Sequence, residues 1–276
     1  MHPLRRNTAR TAAVAAGLAA AAALVFAAAP STAGAASTTT TTSAGTTTTT
    51  SAGDPAATAA YNAALKAVGT KGVHFASVAK QDGATLTVSG DAGTTSGAQS
   101  LVVKNKGVTE RMTARVVGST GYVTGNKAAL LDVIGLTKAE SSKYAGRWLS
   151  FPTSNTGLAE LVGGLLSSQV SKELEIGGPF TAGKSATVAG QKATAIVGSV
   201  ATESGSKVPV VLYVPASGTP LPLQEVTNSG SGGGSSAIHG VVTFSHWGEN
   251  KSQSAPANAF SLLKLAPASS GSTTSG

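Results

Sequence analysis

The feature that most constrains this chain is a series of short segments in which apolar and polar residues alternate, each closed by Gly, Asp or Asn. GVHFASVAK, ATLTVSGD, AQSLVVKN, VTERMTARVV and GYVTG follow one another between residues 72 and 125 with only tight turns between them. A two-residue period sends successive side chains to opposite faces, so each segment reads as a half-buried β-strand, and the short turns make neighbours pair antiparallel. The pattern resumes further on in RWLSFP, SATVAG, KATAIVGS, VPVVLYVP, LPLQEV, AIHGVVTFSHWG and FSLLKL. One face of each strand is apolar: Ala84, Leu86 and Val88 in ATLTVSG, and Ile238, Val242 and Phe244 in AIHGVVTFSHW. Such a sheet has to be covered on that face and left wet on the other. About eleven antiparallel strands exceed what an open flat sheet usually carries, so strong curling is expected.

The covering elements are legible between the strands. Asp54-Pro55 supplies a cap and a first-turn proline for the helix AATAAYNAALKAV, which Gly69 stops. Asn126 opens KAALLDVI, stopped by Gly135, and Thr137 with Glu140 forms a capping box for a helix ending near Tyr144. In TGLAELVGGLLSSQVSKELEI, Leu158, Leu161, Val162, Leu165, Leu166, Val170 and Leu174 recur at helical spacing, so a further helix is expected there. The fold class is therefore α+β: a strongly curved antiparallel half-barrel sheet of about eleven strands closed by several helices. GSGGGSS at 230–236 is expected as a mobile hairpin loop.

Residues 178–185, GPFTAGKS, match the phosphate-loop pattern. That motif needs a buried strand before it and a helix after it. Here a helical pattern precedes and a hairpin pattern follows, and Pro179 removes one of the N–H groups that would cradle phosphate. The segment reads as a helix-to-strand turn.

The first 53 residues contain no such alternation. Arg5, Arg6 and Arg10 precede TAAVAAGLAAAAALVFAAAP and the small triplet Ala33-Gly34-Ala35, the three parts of a secretory signal at residues 1–36. The alternative is an uncleaved anchor, since the apolar run approaches spanning length. TTTTTSAG at 38–45 and again at 46–53 has no large apolar residue and forms a spacer over 37–53. A similar tail, PASSGSTTSG, occupies 267–276, which leaves a folded unit at 54–266. Protein recovered from the medium or wall fraction is expected to begin at Ala36 or Ser37 by mass spectrometry; an intact Met1 in a membrane fraction would establish the anchor instead.

The chain has no cysteine, which excludes disulfides, thiol catalysis, cysteine metal sites and a lipid-modified amino-terminal cysteine. Without the leader arginines, 17 of the 20 basic residues remain against 12 acidic ones. The surplus is scattered and has no interleaved aromatics, so nucleic acid is not an expected partner, and peripheral contact with an anionic envelope surface is the most the charge implies.

No catalytic constellation is found. There is no Gly-x-Ser-x-Gly elbow, and His239 and His246, seven apart on one expected strand, point to opposite faces and cannot share a metal. His74 has no evident partner in sequence, and Asp91, Asp132 and Glu110 read as solvated carboxylates. Trp148 and Trp247 read as strand-edge anchors. The expectation is a protein without enzymatic activity, metal or cofactor.

The succession GYVTGN, YAGRWLSFP, KVPVVLYVPASGTPLPLQEV and VTFSHWGEN, within this order of helices and strands, resembles the LppX/LprG-type lipoproteins of actinobacteria, relatives of LolA, over roughly residues 54–266. The resemblance implies a half-barrel closed by helices around an apolar cavity that binds or carries lipid across the envelope. The lipobox cysteine of that family is missing, which implies a secreted or wall-associated form. With only 2 Trp, 4 Tyr and 6 Phe, and with alanine and glycine at many inward positions, the space between sheet and helices is expected to be underfilled. An acyl chain or comparable apolar molecule is then expected between Leu86, Val88, Met112, Val242 and Phe244 on the sheet and Leu131, Ile134, Leu161 and Leu165 on the helices. A filled core with a surface-acting role is the competing expectation.

Overall fold

A computed structural model describes residues 53–81, 83–201, 207–229 and 238–265. The expected leader, tail, glycine-rich hairpin loop and, apart from Gly53, the spacer lie outside the described residues.

The alternating segments form one 13-stranded sheet. Its strands are β1 (Val73–Gln81), β2 (Ala84–Ala92), β3 (Ser96–Asn105), β4 (Val108–Val117), β5 (Thr120–Gly125), β6 (Leu149–Pro152), β7 (Gly177–Ala182), β8 (Ala186–Val188), β9 (Gln191–Ala201), β10 (Lys207–Pro215), β11 (Gln224–Ser229), β12 (Ile238–Ser245) and β13 (Phe260–Ser261). The spatial order is β13-β6-β5-β4-β3-β2-β1-β12-β11-β10-β9-β7, with β8 paired to β9 off this path. Every ladder is antiparallel except β13 with β6, a two-residue parallel pairing. FSLLKL is therefore mostly not a strand, because Leu262–Lys264 turns into a 3-10 helix.

The short helices follow their caps. In α1 (Pro55–Val68) the Asp54 side chain accepts from the Ala56 N–H at 2.8 Å, with proline in the first turn. In α2 (Lys127–Asp132) Asn126 accepts from the Ala129 N–H, and in α3 (Lys138–Tyr144) the Thr137–Glu140 capping box is complete. All three pack on one side of the sheet, α1 against β7 and β9, α2 against β4 and β5. Ala57, Tyr61, Ala64 and Val68 of α1 and Leu130 of α2 share one core cluster with Phe75, Val88, Leu101, Leu212 and Val242 of the strands. Curvature brings these parts together. On a flat sheet β3 and β9, six steps apart, would be separated by roughly 30 Å at about 4.8 Å per strand. Yet α1, seated on β9, reaches the helix that follows the chain's crossing of the β2–β3 turn.

That crossing corrects the expectation of a continuous helix over 158–174. The segment is α4 (Thr156–Ala159), a 3-10 turn at Glu160–Val162, an extended passage, then α5 (Ser167–Glu173). Gly164, at φ +72°, breaks the helix. The freed backbone is satisfied by the sheet: Gly93 N–H donates to the Leu165 carbonyl at 3.2 Å, and Ser167 N–H donates to the Gly93 carbonyl at 2.8 Å. Gly97 makes this approach possible, because a Cβ there would lie 2.1 Å from the Leu165 carbonyl oxygen.

GPFTAGKS departs from its expected turn as well. Gly177–Ala182 is an edge strand on β9 with a register shift between Gly177 and Thr181, and only the residues after it turn into β8. Proline is tolerated at an edge, where one set of N–H groups faces outward. A strand, a turn and a second strand cannot form a phosphate loop, and Lys184 is exposed. Lys184→Ala is expected to change stability by less than about 0.5 kcal/mol; saturable ATP binding lost in this variant would contradict the assignment.

Candidate functional site

The sheet's inner face is the candidate site. Strand register lines up Met112, Leu101, Val88, Ser77, Val242, Glu225, Leu212 and Ile196 in one row across eight strands, and all eight side chains are buried. Leu86, Ala79, Gly240, Thr227 and Val210 form the adjacent row on one side. Gln99, Gly90, Phe75 and Phe244 form the row on the other. The five expected sheet residues, Leu86, Val88, Met112, Val242 and Phe244, thus share one face and one core cluster.

From the helical side, Leu161 and Leu165 join the same cluster. Gln99 holds this cover down, its Nε2 donating to the Leu161 carbonyl at 3.0 Å. Ile134 is half-buried against the cluster, whereas Leu131 is half-buried and not part of it. Ala129, Leu130 and Val133 take the inward positions of α2 instead. One helical residue is a rotation of about 100°, which carries Leu131 away once Leu130 faces the sheet.

Tyr61 closes the far end. Its hydroxyl donates to the Leu174 carbonyl at 3.2 Å and accepts from the Ile176 N–H at 2.7 Å, while its ring lies 4.3 Å from that of Phe180. Burial raises its phenol pKa despite the Ile176 hydrogen bond.

Three polar side chains on the inner face escaped the sequence reading. Ser77, Glu225 and Thr227 are at most 2% exposed. The Ser77 and Thr227 hydroxyls have no hydrogen-bond partner among the described residues, and burial pushes the Glu225 carboxyl up to about 8. One signal pointed to two of them: Leu221 and Leu223 share the two-residue phase of Glu225 and Thr227.

On the outer side, His74 does have a partner. Strand register sets it opposite Asp91, and its Nδ1 lies 2.9 Å from Asp91 Oδ1, the same oxygen that accepts from Lys251 at 2.9 Å. Neither Glu110, Asp132 nor Asp91 is without an interaction, contrary to their reading as solvated carboxylates. Desolvation raises the Asp91 pKa, but the hydrogen bonds and charges of Lys251 and His74 outweigh it and leave the carboxyl below its usual range. Ser245 is opposite His74 on β12, but its hydroxyl is 3.4 Å from Nδ1 of His246, which lies outside the strand with φ +54°. The arrangement is an ion-paired cluster at the ends of two neighbouring interior strands. His239 lies beside Asn228, and no group of three metal-ligating side chains occurs among the described residues. Trp148 lies under the Arg115 guanidinium at 5.0 Å, and Trp247 donates to the Pro222 carbonyl at 2.8 Å, so both anchor the sheet.

This geometry defines the class of fold: a large, open, curved antiparallel sheet with its helices on the concave side. Solved structures of similar shape include LprF from Mycobacterium bovis, at 13% identity and TM-score 0.47 over 74% of this chain and 99% of that one. Lipoprotein LppX from Mycobacterium tuberculosis is similar at 18% identity and TM-score 0.43 over 72% of this chain and 98% of that one. A LolA superfamily protein from Nitrosomonas europaea is similar at 10% identity and TM-score 0.27 over 72% of this chain and 94% of that one. No protein-family model and no curated protein matches the chain. No helix among the described residues is long and apolar enough to cross a membrane.

Proposed function

We infer that this chain is an exported, non-enzymatic envelope protein that takes a lipid or other apolar molecule between the inner face of its sheet and the segment from α4 to α5. The observation that carries this reading is the construction of the cover. Over the central strands it is a broken segment, its helices interrupted by an extended passage over residues 163–166, pinned to the sheet by two backbone hydrogen bonds at Gly93 and one side-chain bond from Gln99. A cover with so few fixed attachments can lift as a unit, and what it uncovers is a continuous aliphatic surface. Leu86, Val88, Met112, Val242 and Phe244 are the proposed contacts on the sheet, with Leu161, Leu165 and the flanking Ile134 and Leu131 above.

Affinity for such a guest comes from burial. At about 0.8 kcal/mol per methylene, a chain of some fourteen carbons gains roughly 11 kcal/mol before immobilisation is subtracted. Micromolar binding survives a cost of several kcal/mol.

A second reading, an envelope protein with a filled core that acts through its surface, is favoured by the complete burial of Val242, Leu165 and Leu212. Native mass spectrometry of protein purified from its own host, followed by lipid extraction, separates the two. A retained or rebound lipid supports the carrier. Bare protein that takes up neither fatty acids, acylglycerols nor phospholipids leaves the surface-acting protein.

A further inference from the structure

The inner face is mostly apolar, and besides Gln81 and Gln99 it carries one polar patch on its central strands. Glu225 and Thr227 are two residues apart on β11, on one face and about 7 Å from each other. Ser77 stands two strands from Glu225 through Val242, roughly 10 Å away. Between Thr227 and Ala79, in register with both, is Gly240, which places no side chain beside the polar groups. These three side chains are fully desolvated. Among the described residues the two hydroxyls are unpartnered, and burial is the cause that raises the Glu225 carboxyl pKa. Any aliphatic residue at these strand positions would avoid that cost, because a buried polar group is favourable only when it finds a partner.

We propose that Glu225, Thr227 and Ser77 form a hydrogen-bonding seat for the uncharged, hydroxyl-bearing headgroup of a single-chain lipid whose acyl part lies along the aliphatic rows. The proposal rests on the carrier reading above. A neutral carboxyl offers one O–H donor and an accepting carbonyl oxygen, and each hydroxyl adds a donor and acceptors, which matches the vicinal hydroxyls of a monoacylglycerol. The raised pKa keeps Glu225 in that neutral form at pH 7. An anionic headgroup is disfavoured here, because burial alone raises the Glu225 pKa, with no cation of the described residues contributing to it, and the Tyr61 phenol is raised by burial and by Glu175 and Glu225.

The test uses the mature protein at pH 7, with monomyristoylglycerol, myristate and a phosphatidylglycerol of matching chain length as probes, read by calorimetry and native mass spectrometry. Monomyristoylglycerol is expected to bind about tenfold more tightly than myristate, the scale of one well-made hydrogen bond. Glu225→Leu and the isosteric Thr227→Val should each remove most of that preference while leaving myristate affinity unchanged and the melting temperature undiminished. The Thr227 variant keeps the test informative if the Glu225 variant misfolds. Binding of both probes with equal affinity, or a preference unmoved by either substitution, overturns the seat and leaves the carrier standing. Preferential binding of the phosphatidylglycerol also overturns it. Failure of all three lipids to bind overturns the carrier reading, and the seat with it.

Discussion

Glu225→Gln is expected to stabilise the protein by about 3–5 kcal/mol at pH 8 and to leave it almost unchanged at pH 4. In the folded protein the carboxyl titrates at about 8 against an ordinary 4.5, because burial disfavours its charge and no partner compensates. The native state therefore holds a proton that the unfolded chain has already released. Its contribution to stability is complete below pH 4.5 and is lost as pH rises to 8, at about 1.4 kcal/mol per unit. Glutamine keeps the shape and cannot ionise. Urea unfolding of both proteins at unit intervals from pH 4 to pH 8 should show the two stability curves diverging through that window. Parallel curves would mean that Glu225 reaches solvent or a cation in the folded state.

The second large effect is steric. Gly97→Ala is expected to destabilise the protein by about 3 kcal/mol, at the upper end of overpacking costs. The added Cβ would lie 2.1 Å from the carbonyl oxygen of Leu165 and 2.7 Å from that of Asp91, both backbone atoms, so no side-chain rotation relieves the clash. The chain has to move, and the less anchored partner is the passage between the 3-10 turn and α5. Lifting it breaks the Gly93 bonds and uncovers the inner face. Binding of a hydrophobic dye at neutral pH, together with a lower urea midpoint, is the expected signature. A variant within about 0.5 kcal/mol of the parent and silent to the dye would show that the cover is not clamped at Gly97.

Much of the architecture was legible in the sequence because it rests on short-range rules. The first five strands, the caps at Asp54, Asn126 and Thr137 and the inward phase of Leu86, Val88, Val242 and Phe244 all follow from a repeat of two or from a side chain reaching a backbone amide two or three residues away. Such interactions are complete within one segment. Leu131 shows where this kind of evidence ends: KAALLDVI is apolar on nearly every side, and only packing against β4 and β5 chose Leu130 over its neighbour.

The features on which function turns depend on contacts between distant residues. The broken cover looked like one helix because its leucines keep helical spacing, but Gly93, more than seventy positions earlier, takes the carbonyl that a helix would have used. GPFTAGKS became an edge strand because β9 presented an unpaired ladder to it. His74 found Asp91 through strand register, and Glu225 is an uncharged buried acid because curvature folds α1 and the aliphatic rows over it. The sequence by itself determined which segments are strands, which face of most of them is apolar, and where the helices begin. Only the tertiary structure decided what covers that face and which polar groups are left inside, because pairing and desolvation belong to residues that meet in space and have no periodicity along the chain.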